Sequence, residues 1–330
     1  MTHTSLRTAL IGPGRISVAH LDAITHDPSL ATLVAVAGLP QEAERTEQLA
    51  GRFGAERAIH DVQALIDDDD IEAVVVTVPN HVHAEVAIPL LRSGKHVLIE
   101  KPLANTVAEC RAIEEAAATT GRTVMVGQCR RFFDGAKATR DLVEQLGRPL
   151  AIDHYLGVYV QEAATGWWRS ASAAGGLAVG LNGPHVVDTM LWLIDSRPVR
   201  VYARTMRLRD KWEGEDEAFF IIDFEDGSVG SGHISLNATA PVNSRWINGP
   251  AGAMHLIDDR TLTHNGNDVV REEVTPYIEG DVSFRGQFRE FASAIREGRQ
   301  AHPSAAEGRS VVAILQAIQQ SQETGQPVAL

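Results

Sequence analysis

The chain has 330 residues, of which 44% are hydrophobic, an ordinary globular share that can fill two domain cores. Its 30 Lys and Arg and 43 Asp and Glu give a formal net charge of −13 without any long basic run, so nucleic acids and anionic membrane surfaces are not expected partners. No stretch approaches the roughly 18 consecutive apolar residues of a membrane-spanning helix, and residues 1–7 lack the order of a signal peptide. We therefore expect a soluble, cytoplasmic protein.

Residues 7–128 alternate short β-branched runs with longer helical stretches, which predicts βαβ units around a parallel sheet. Little polar alternation interrupts these runs, as is typical of strands buried on both faces of a doubly wound sheet. We therefore predict an α/β fold class with a Rossmann domain over residues 1–129. Predicted strands lie at 8–11, 33–37, 73–78, 96–99 and 123–126, with a shorter one near 58–59, and predicted helices include 41–53, 82–93 and 107–119.

After residue 129 the strands become longer, which predicts a second, α+β domain over residues 130–330 with an open, mostly antiparallel sheet. Phe220, Ile222 and Phe224 alternate with other residues and are followed by turn chemistry at Glu225-Asp226-Gly227-Ser228, so a hairpin is expected. The apolar face of an open sheet needs a cover, so we expect a homodimer or homotetramer. Further helices are predicted near 134–146, 282–296 and 305–320.

The chain offers little for disulfide or metal chemistry. Cys110 and Cys129 have no C-x-x-C spacing, so we expect two reduced, buried thiols. His81 and His83 lie two residues apart but have no third ligand at a recognisable spacing, so no metal site is predicted.

Gly12-Pro13-Gly14-Arg15-Ile16-Ser17 directly follows an apolar strand and opens a helical stretch. In a dinucleotide fingerprint the first glycine permits a tight turn, the second lets the backbone approach the pyrophosphate, and a small third residue lets the helix pack on the strand. We predict that Gly12, Gly14, Arg15 and Ile16 bind a dinucleotide, the alternative being an ordinary glycine-rich turn.

The end of the second strand bears on the choice of dinucleotide. An acidic residue there holds the ribose hydroxyls of NAD, but this chain has Gly38-Leu39-Pro40. No carboxylate repels the 2′-phosphate of NADP, and no arginine stands directly beside it, Arg15 and Arg45 being the nearest candidates. NAD or NADP is therefore expected as the cofactor, with a lean to NAD.

Two further segments follow strands, and one opens a helix. Pro79-Asn80-His81-Val82-His83 and Glu100-Lys101-Pro102 lie at strand ends, where doubly wound folds bind ligands. Pro102 keeps Lys101 out of helical geometry and favours a fixed direction for its ammonium. Further along, His185 and Asp188 share a helix face, so the carboxylate is placed to orient the imidazole, with a helix-cap or core role as the alternative.

Together these segments resemble the Gfo/Idh/MocA oxidoreductases, the family of glucose-fructose oxidoreductase and inositol dehydrogenase. The resemblance implies an N-terminal Rossmann domain, a C-terminal open sheet often used for oligomers, and hydride transfer between NAD or NADP and a hydroxyl or ketone of a sugar, cyclitol or related polyol. The matching stretches are Ala9-Leu10-Ile11-Gly12, the segment at Pro79, residues 94–104, residues 175–188 and residues 321–328.

The resemblance also implies roles for single residues. Lys101 matches the family lysine that hydrogen-bonds substrate, and His185 matches the histidine used as acid and base. Trp168 and Arg169 resemble a Trp-Arg pair that lies near the nicotinamide and the substrate in the family. The equal alternative is a buried aromatic residue beside a structural ion pair. Asn182 is a further candidate for substrate binding. The positions that match the surroundings of the dinucleotide are Gly12, Gly14, Pro79, Asn80, His83 and Glu100.

The chain departs from the family pattern at two positions. Leu181 stands where many members have an Asp four residues before the histidine, and Gly38 stands where many have the ribose-binding acid. The leading hypothesis is a nicotinamide-dependent dehydrogenase. Leu181 keeps open a non-catalytic dinucleotide-binding sensor, which Lys101 and His185 oppose, and a third hypothesis is a closed redox cycle on a glycoside with tightly bound cofactor.

Overall fold

The computed structural model describes residues 5–273, 278 and 280–330. In this part of the chain the strands are β1 (Leu6–Ile11), β2 (Ala31–Ala37), β3 (Arg57–Ile59), β4 (Ala73–Val76), β5 (His96–Glu100), β6 (Val124–Gly127), β7 (Ala151–Tyr159), β8 (Pro198–Met206), β9 (Glu217–Phe224), β10 (Val229–Ser235), β11 (Asn237–Gly249), β12 (Gly252–Ile257), β13 (Thr261–His264), β14 (Asn267–Arg271) and β15 (Val328–Ala329). The α-helices are α1 (Ser17–Thr25), α2 (Ala43–Phe53), α3 (Val62–Ile66), α4 (His83–Arg92), α5 (Val107–Thr120), α6 (Asp134–Leu142), α7 (Ala171–Ala174), α8 (Ala178–Leu181), α9 (Gly183–Ile194), α10 (Val282–Glu297) and α11 (Ala305–Thr324).

The described residues up to Cys129 form a compact unit around a parallel sheet with the strand order β3-β2-β1-β4-β5-β6. All four residues of β4 are fully buried, because helices cover both faces of the sheet. Gly54 and Gly121 end α2 and α5 in the left-handed region. The predicted Rossmann fold is confirmed, and the strand order reverses between β1 and β4, where doubly wound sheets bind ligands at their carboxyl ends.

α10 also belongs to this first unit, which includes residue 278 and residues 280–309 as well as the described chain up to Cys129. The His20 ring of α1 meets the edge of Phe284 at 5.0 Å, and Arg285 Nε donates to an Asp22 carboxylate oxygen at 2.9 Å. The compact units break after Cys129, as does the division made from the sequence, but they place α10 with the first unit rather than the second. The aromatic side chain of Phe284 in α10 therefore packs against α1.

The second unit, which begins at Arg130 and includes Ser310–Leu330, contains a sheet with the order β14-β13-β12-β11-β7-β10-β9-β8-β15. Its pairs are antiparallel except β7 with β10. In β9 the buried Phe220, Ile222 and Phe224 alternate with Phe219 and Ile221, which are 42% and 46% exposed. The predicted hairpin and open sheet are confirmed.

A closed hydrogen-bond ring lies in the core of the second unit around Asp259. Its carboxylate accepts from Arg245, from Arg130 at 2.7 Å and from the Asn243 amide at 2.8 Å. Arg245 Nε donates to His154 Nδ1 at 3.2 Å, so His154 Nε2 carries the ring proton that faces Asn243 Oδ1 at 3.0 Å. Burial holds the pKa of His154 well below its usual range, which matches a neutral ring.

Both cysteines, Cys110 and Cys129, are buried thiols outside any disulfide, as expected, and burial raises the pKa of Cys110 to about 12. Within the described residues no single helix is long and apolar enough to cross a membrane. Only the bent pair Ala171–Leu181 and Gly183–Ile194, at 49° to each other, reaches that length and hydropathy together.

The ring around Asp259 predicts a large effect of one substitution. Asp259→Asn removes the anion that the buried Arg245 and the half-buried Arg130 share, so we expect it to lower the free energy of unfolding by about 3–5 kcal/mol. All five tryptophans lie between residues 167 and 246, so tryptophan fluorescence during urea unfolding follows the second unit alone. Asp268→Asn, at an exposed pair with Arg271, is the control and is expected to cost less than about 1 kcal/mol.

The same site predicts a pH dependence. Burial alone would raise the pKa of Asp259, but Arg245 and Arg130 hold it at about 2, below the usual value of 3.8 for an aspartate. Its stabilisation is therefore complete at neutral pH and is lost as the pH falls from about 4 towards about 2. Asp259→Asn should remove this part of the acid sensitivity, and an unchanged pH profile would contradict the assignment.

Candidate functional site

The turn after β1 depends on close contact between the ends of β1 and β4. Gly12 has φ +97°, and a Cβ there would lie 2.7 Å from the Thr77 carbonyl carbon and 2.8 Å from the Val78 nitrogen. Thr77 Oγ1 donates to the Ile11 and Gly12 carbonyls at 3.0 and 2.7 Å. Only glycine fits this position. Sequence reasoning missed Thr77, because it lies 65 residues from its partner.

Gly14 differs from Gly12 in that a Cβ added to it would meet no protein atom within 4 Å. Its carbonyl accepts a 2.6 Å hydrogen bond from the buried Ser17 hydroxyl, which starts α1. Arg15 is exposed and Ile16 half-buried in the same turn. The open space above Gly14 at a helix N-terminus has the character of a pyrophosphate cradle.

Asn80 follows β4 in the turn of a short 3-10 helix, Asn80–Val82, that Pro79 introduces. Its side-chain amide nitrogen is buried, and no group among residues 5–273, 278 and 280–330 accepts a hydrogen bond from it. A buried donor without a partner is costly unless a ligand supplies the acceptor. The cradle at Gly14 and the amide of Asn80 therefore fit a bound dinucleotide.

Packing explains why the end of β2 carries no acid. A Cβ at the buried Gly38 would collide with Thr46 Oγ1 and lie 3.0 Å from Pro13 Cγ. Any side chain at this position would push apart the turn that holds Gly12 and Gly14. Arg45, an expected candidate for the phosphate of NADP, donates to Gln48 at 2.7 Å on the surface of α2.

Glu100 fixes the backbone at the end of β5. One carboxylate oxygen lies 2.8 Å from His20 Nε2, and the other accepts from the Lys101 backbone N–H at 3.1 Å. Burial would raise the pKa of Glu100, but the hydrogen bond with His20 holds it below its usual value. The Lys101–Pro102 peptide bond is cis. His20 was not identified from the sequence, because it lies 80 residues before Glu100.

The His83 imidazole is fully buried between two backbone carbonyls. Nδ1 lies 2.8 Å from the Pro102 oxygen and Nε2 lies 3.0 Å from the Val78 oxygen. Burial lowers the pKa of His83. Both ring nitrogens therefore face the protein's own backbone. In the described ranges no group of three or more His, Cys, Asp or Glu is arranged to hold a metal ion.

In the second unit His185 lies buried in the first turn of α9. Asp188 shares its helix, but both of its carboxylate oxygens accept from Arg131, at 2.8 and 2.7 Å, and Arg131 stacks over Trp192 at 5.2 Å. Asp188 thus belongs to a buried bidentate ion pair. Sequence reasoning missed Arg131, which no local pattern marks.

The segment before His185 is held by a carboxylate that sequence reasoning also missed. Glu215 accepts from the Leu177 and Val179 backbone N–H groups at 2.9 and 2.8 Å, at the start of α8. Burial raises the pKa of Glu215. Leu181 ends α8 with its side chain in the core, and the half-buried Asn182 follows it.

Trp168 and Arg169 lie together in the short 3-10 helix Gly166–Arg169. Trp168 is half-buried and meets the Trp167 ring edge-on at 6.1 Å. Arg169 is exposed and forms an ion pair with Glu162 at 3.7 Å. The arrangement leaves the guanidinium accessible, as a substrate contact requires.

The fold and the fingerprint turn define a class of protein, and comparison with known proteins agrees. The family model described as "Oxidoreductase family, NAD-binding Rossmann fold" matches residues 6–128, and the GFO/IDH/MocA C-terminal domain model matches residues 137–255. The chain is an oxidoreductase with an NAD-binding Rossmann domain. It belongs to the Gfo/Idh/MocA family.

Relatives and solved structures cover nearly the whole chain. Inositol 2-dehydrogenase 3 of Saccharopolyspora erythraea is 29% identical over 99% of this chain and 96% of its own length, and levoglucosan dehydrogenase of Pseudarthrobacter phenanthrenivorans is 28% identical over 96% of both. Among solved structures, an oxidoreductase domain protein from Kribbella flavida has a TM-score of 0.90 at 28% identity, covering 99% of each chain. Levoglucosan dehydrogenase with NADH and L-sorbose has a TM-score of 0.88 at 25% identity, again covering 99% of each chain.

The two glycines of the turn predict opposite outcomes of the same substitution. Gly12→Ala is expected to lower the free energy of unfolding by about 2 kcal/mol or more, because its Cβ meets backbone at a positive φ. Gly14→Ala should change that free energy by less than about 0.5 kcal/mol, yet weaken NADH binding at least about tenfold by filling the cradle. Circular dichroism in urea and NADH titration measure the two effects. Wild-type affinity in folded Gly14→Ala would contradict the assignment.

Proposed function

We propose that the protein is a dehydrogenase that interconverts a hydroxyl and a ketone on a sugar, cyclitol or related polyol, with NAD or NADP. The observation that carries the proposal is the open cradle at Gly14 beside the unpaired buried amide of Asn80, in a chain of this oxidoreductase family. The substrate class is supported by full-length relatives named for inositol and levoglucosan. Family membership favours this enzyme over a non-catalytic sensor.

We assign the dinucleotide to the carboxyl ends of β1, β2, β4 and β5. When bound, it supplies the carbon that exchanges hydride with the substrate. The chain's own contribution is to cradle the phosphates on backbone N–H groups at the start of α1 and to donate from the Asn80 amide. The residues assigned to it are Gly12, Gly14, Arg15, Ile16, Gly38, Pro79, Asn80, Glu100 and Lys101, whereas both ring nitrogens of His83, which the sequence also marks, lie against backbone carbonyls.

His185 is proposed as the group that takes the hydroxyl proton during oxidation and returns it during reduction. An imidazole suits this work near neutral pH. Lys101, whose backbone Glu100 holds, is proposed to donate to the substrate oxygen and to stabilise the developing alkoxide as a fixed cation. Trp168, Arg169 and Asn182 are proposed to bind the other hydroxyls of the substrate. Leu181 offers no proton relay.

The catalytic proposal is tested with His185→Ala once a screen of inositols, levoglucosan and aldoses has found a substrate. Loss of the base is expected to lower the oxidation rate by about 10²–10⁴-fold while NADH affinity stays unchanged. His264→Ala removes a half-buried imidazole at the end of β13 in the same unit and serves as the matched control. Near-full activity in His185→Ala would show that the base lies elsewhere.

The absence of an acid at Gly38 predicts a modest cofactor preference. NADPH is not repelled there, but Arg45 donates to Gln48 on the surface of α2, so the affinities for NADH and NADPH should differ by less than about a hundredfold, or about 2.7 kcal/mol. Titration with both nucleotides measures the ratio. A larger preference for NADPH that Arg15→Ala or Arg45→Ala abolishes would show that an arginine binds the phosphate.

We further propose that the open face of the second unit's sheet joins copies of this chain in a homodimer or homotetramer. Rings stack along this face, with His233 between Tyr155 at 4.4 Å and Phe219 at 4.0 Å, while Trp246 is 50% exposed beside His255. Exposed aromatic patches of this kind mark association surfaces.

Light scattering tests the oligomer proposal. The wild-type protein is expected to have at least twice the 35.7 kDa mass of one chain, and Phe219→Glu should shift it towards one chain by placing a charge in the apolar patch. Val269→Glu, at an exposed position on the outer strand β14, is the control expected to leave the mass unchanged. A monomeric wild-type protein would refute the proposal.

A further inference from the structure

His83 touches two separate parts of the dinucleotide-binding edge in the first unit. Its ring nitrogens lie 2.8 Å from the Pro102 carbonyl and 3.0 Å from the Val78 carbonyl. Val78 leads into the turn that bears Asn80, and Pro102 directly follows Lys101. A single imidazole therefore spans the chain after β4 and the chain after β5.

The contact between His83 and the Pro102 carbonyl is buried, so its loss is costly. His83 and Pro102 are both buried, so water cannot replace a lost hydrogen bond to the Pro102 carbonyl. A neutral imidazole has one N–H to donate, so one of the two carbonyls accepts a hydrogen bond from the ring and the other lies in contact with the unprotonated nitrogen. The distance between the two segments is thereby set by the width of the ring.

Glu100 holds the same segment from its other side. It accepts from the Lys101 backbone N–H at 3.1 Å, while the His83 ring contacts the carbonyl of the next residue. The Glu100 side chain packs closely against Gly127 of β6. A Cβ added to Gly127 would lie only 3.0 Å from a Glu100 carboxylate oxygen. The backbone on both sides of the Lys101 side chain is thus fixed by buried groups.

We propose that His83 is a positioning residue that couples the turn of Asn80 to the segment of Lys101, rather than a residue that touches the dinucleotide. The consequence for nucleotide binding and for the lysine rests on the proposed function. The coupling itself is a property of the first unit. Loosening it should affect the Asn80 side and the Lys101 side together.

The test compares His83→Leu, which removes both ring nitrogens, with His83→Gln, which keeps one N–H donor. His81→Leu is the matched control, because His81 lies two residues away, is exposed and has no side-chain hydrogen bond within the described residues. Two readouts are needed. NADH affinity is measured by titration, and the reactivity of Lys101 is measured without nucleotide by reductive methylation with formaldehyde, relative to the exposed Lys137 of α6.

We expect His83→Leu to weaken NADH binding about tenfold or more and to raise the labelling of Lys101 relative to Lys137, because it leaves a buried carbonyl unsatisfied and removes the ring that spans the two segments. His83→Gln should fall between His83→Leu and wild type, and His81→Leu should match wild type. If His83→Leu does not fold, His83→Gln decides by the same two readouts.

Wild-type values of both readouts in a folded His83 variant would overturn the proposal. A fall in NADH affinity with unchanged Lys101 labelling would overturn the coupling as well. The labelling ratio needs no nucleotide, so it still decides the role of His83 if the wild-type protein binds no NADH, an outcome that would instead refute the proposed function.

Discussion

The close approach of the chain after β1 to the chain after β4 is the constraint on which the first unit depends. The backbone of Gly12 lies so near Thr77 and Val78 that no side chain fits, and the Thr77 hydroxyl locks the contact by bonding two carbonyls of the β1 end. This contact fixes where α1 starts and therefore where its N–H groups point. Gly38 extends the same constraint to the end of β2, because its own missing side chain leaves room for Pro13. Packing around Gly38 thus restricts which residue can stand at the end of β2. In the proposed site, this restriction limits how that position can select between NAD and NADP.

Both units keep charged side chains in their interiors, and several of these are held by hydrogen bonds from other side chains. Glu100 is held by His20, Asp188 by Arg131, and Asp259 by Arg245 and Arg130. Removing one member of such a pair lowers the free energy of unfolding by more than the intact pair contributes to it, since the remaining charge stays buried. The networks therefore make the geometry of the chain around Lys101 and His185 sensitive to residues that touch neither. Substitutions near these sites need to be judged by their partners in space.

The sequence predicted features that a few consecutive residues specify, and it did not predict contacts between residues far apart in the chain. Uninterrupted apolar runs predicted the first sheet, hydrophobic alternation predicted the second, and the spacing of Gly12 and Gly14 predicted the turn, because those signals lie within a few consecutive residues. His20, Thr77, Arg131 and Glu215 were missed, since each acts on a residue about 36 to 80 positions away. The placement of α10 was missed for the same reason: its apolar stripe predicts burial but does not name the surface that buries it. For His83 the sequence marked the position, and the contacts with Val78 and Pro102 suggest a different role.

The return of α10 to the first unit has a consequence for synthesis on the ribosome. Phe284 and Arg285 of this helix, which contact His20 and Asp22, are translated only after strands β7 to β14 of the second unit's sheet. The nascent Rossmann sheet must therefore persist with part of α1 uncovered while some 150 further residues are made, at roughly 5–20 residues per second. For about ten seconds or longer the exposed surface of α1 is available to chaperones or to another nascent chain. A fragment that stops at Cys129 would keep that surface uncovered permanently.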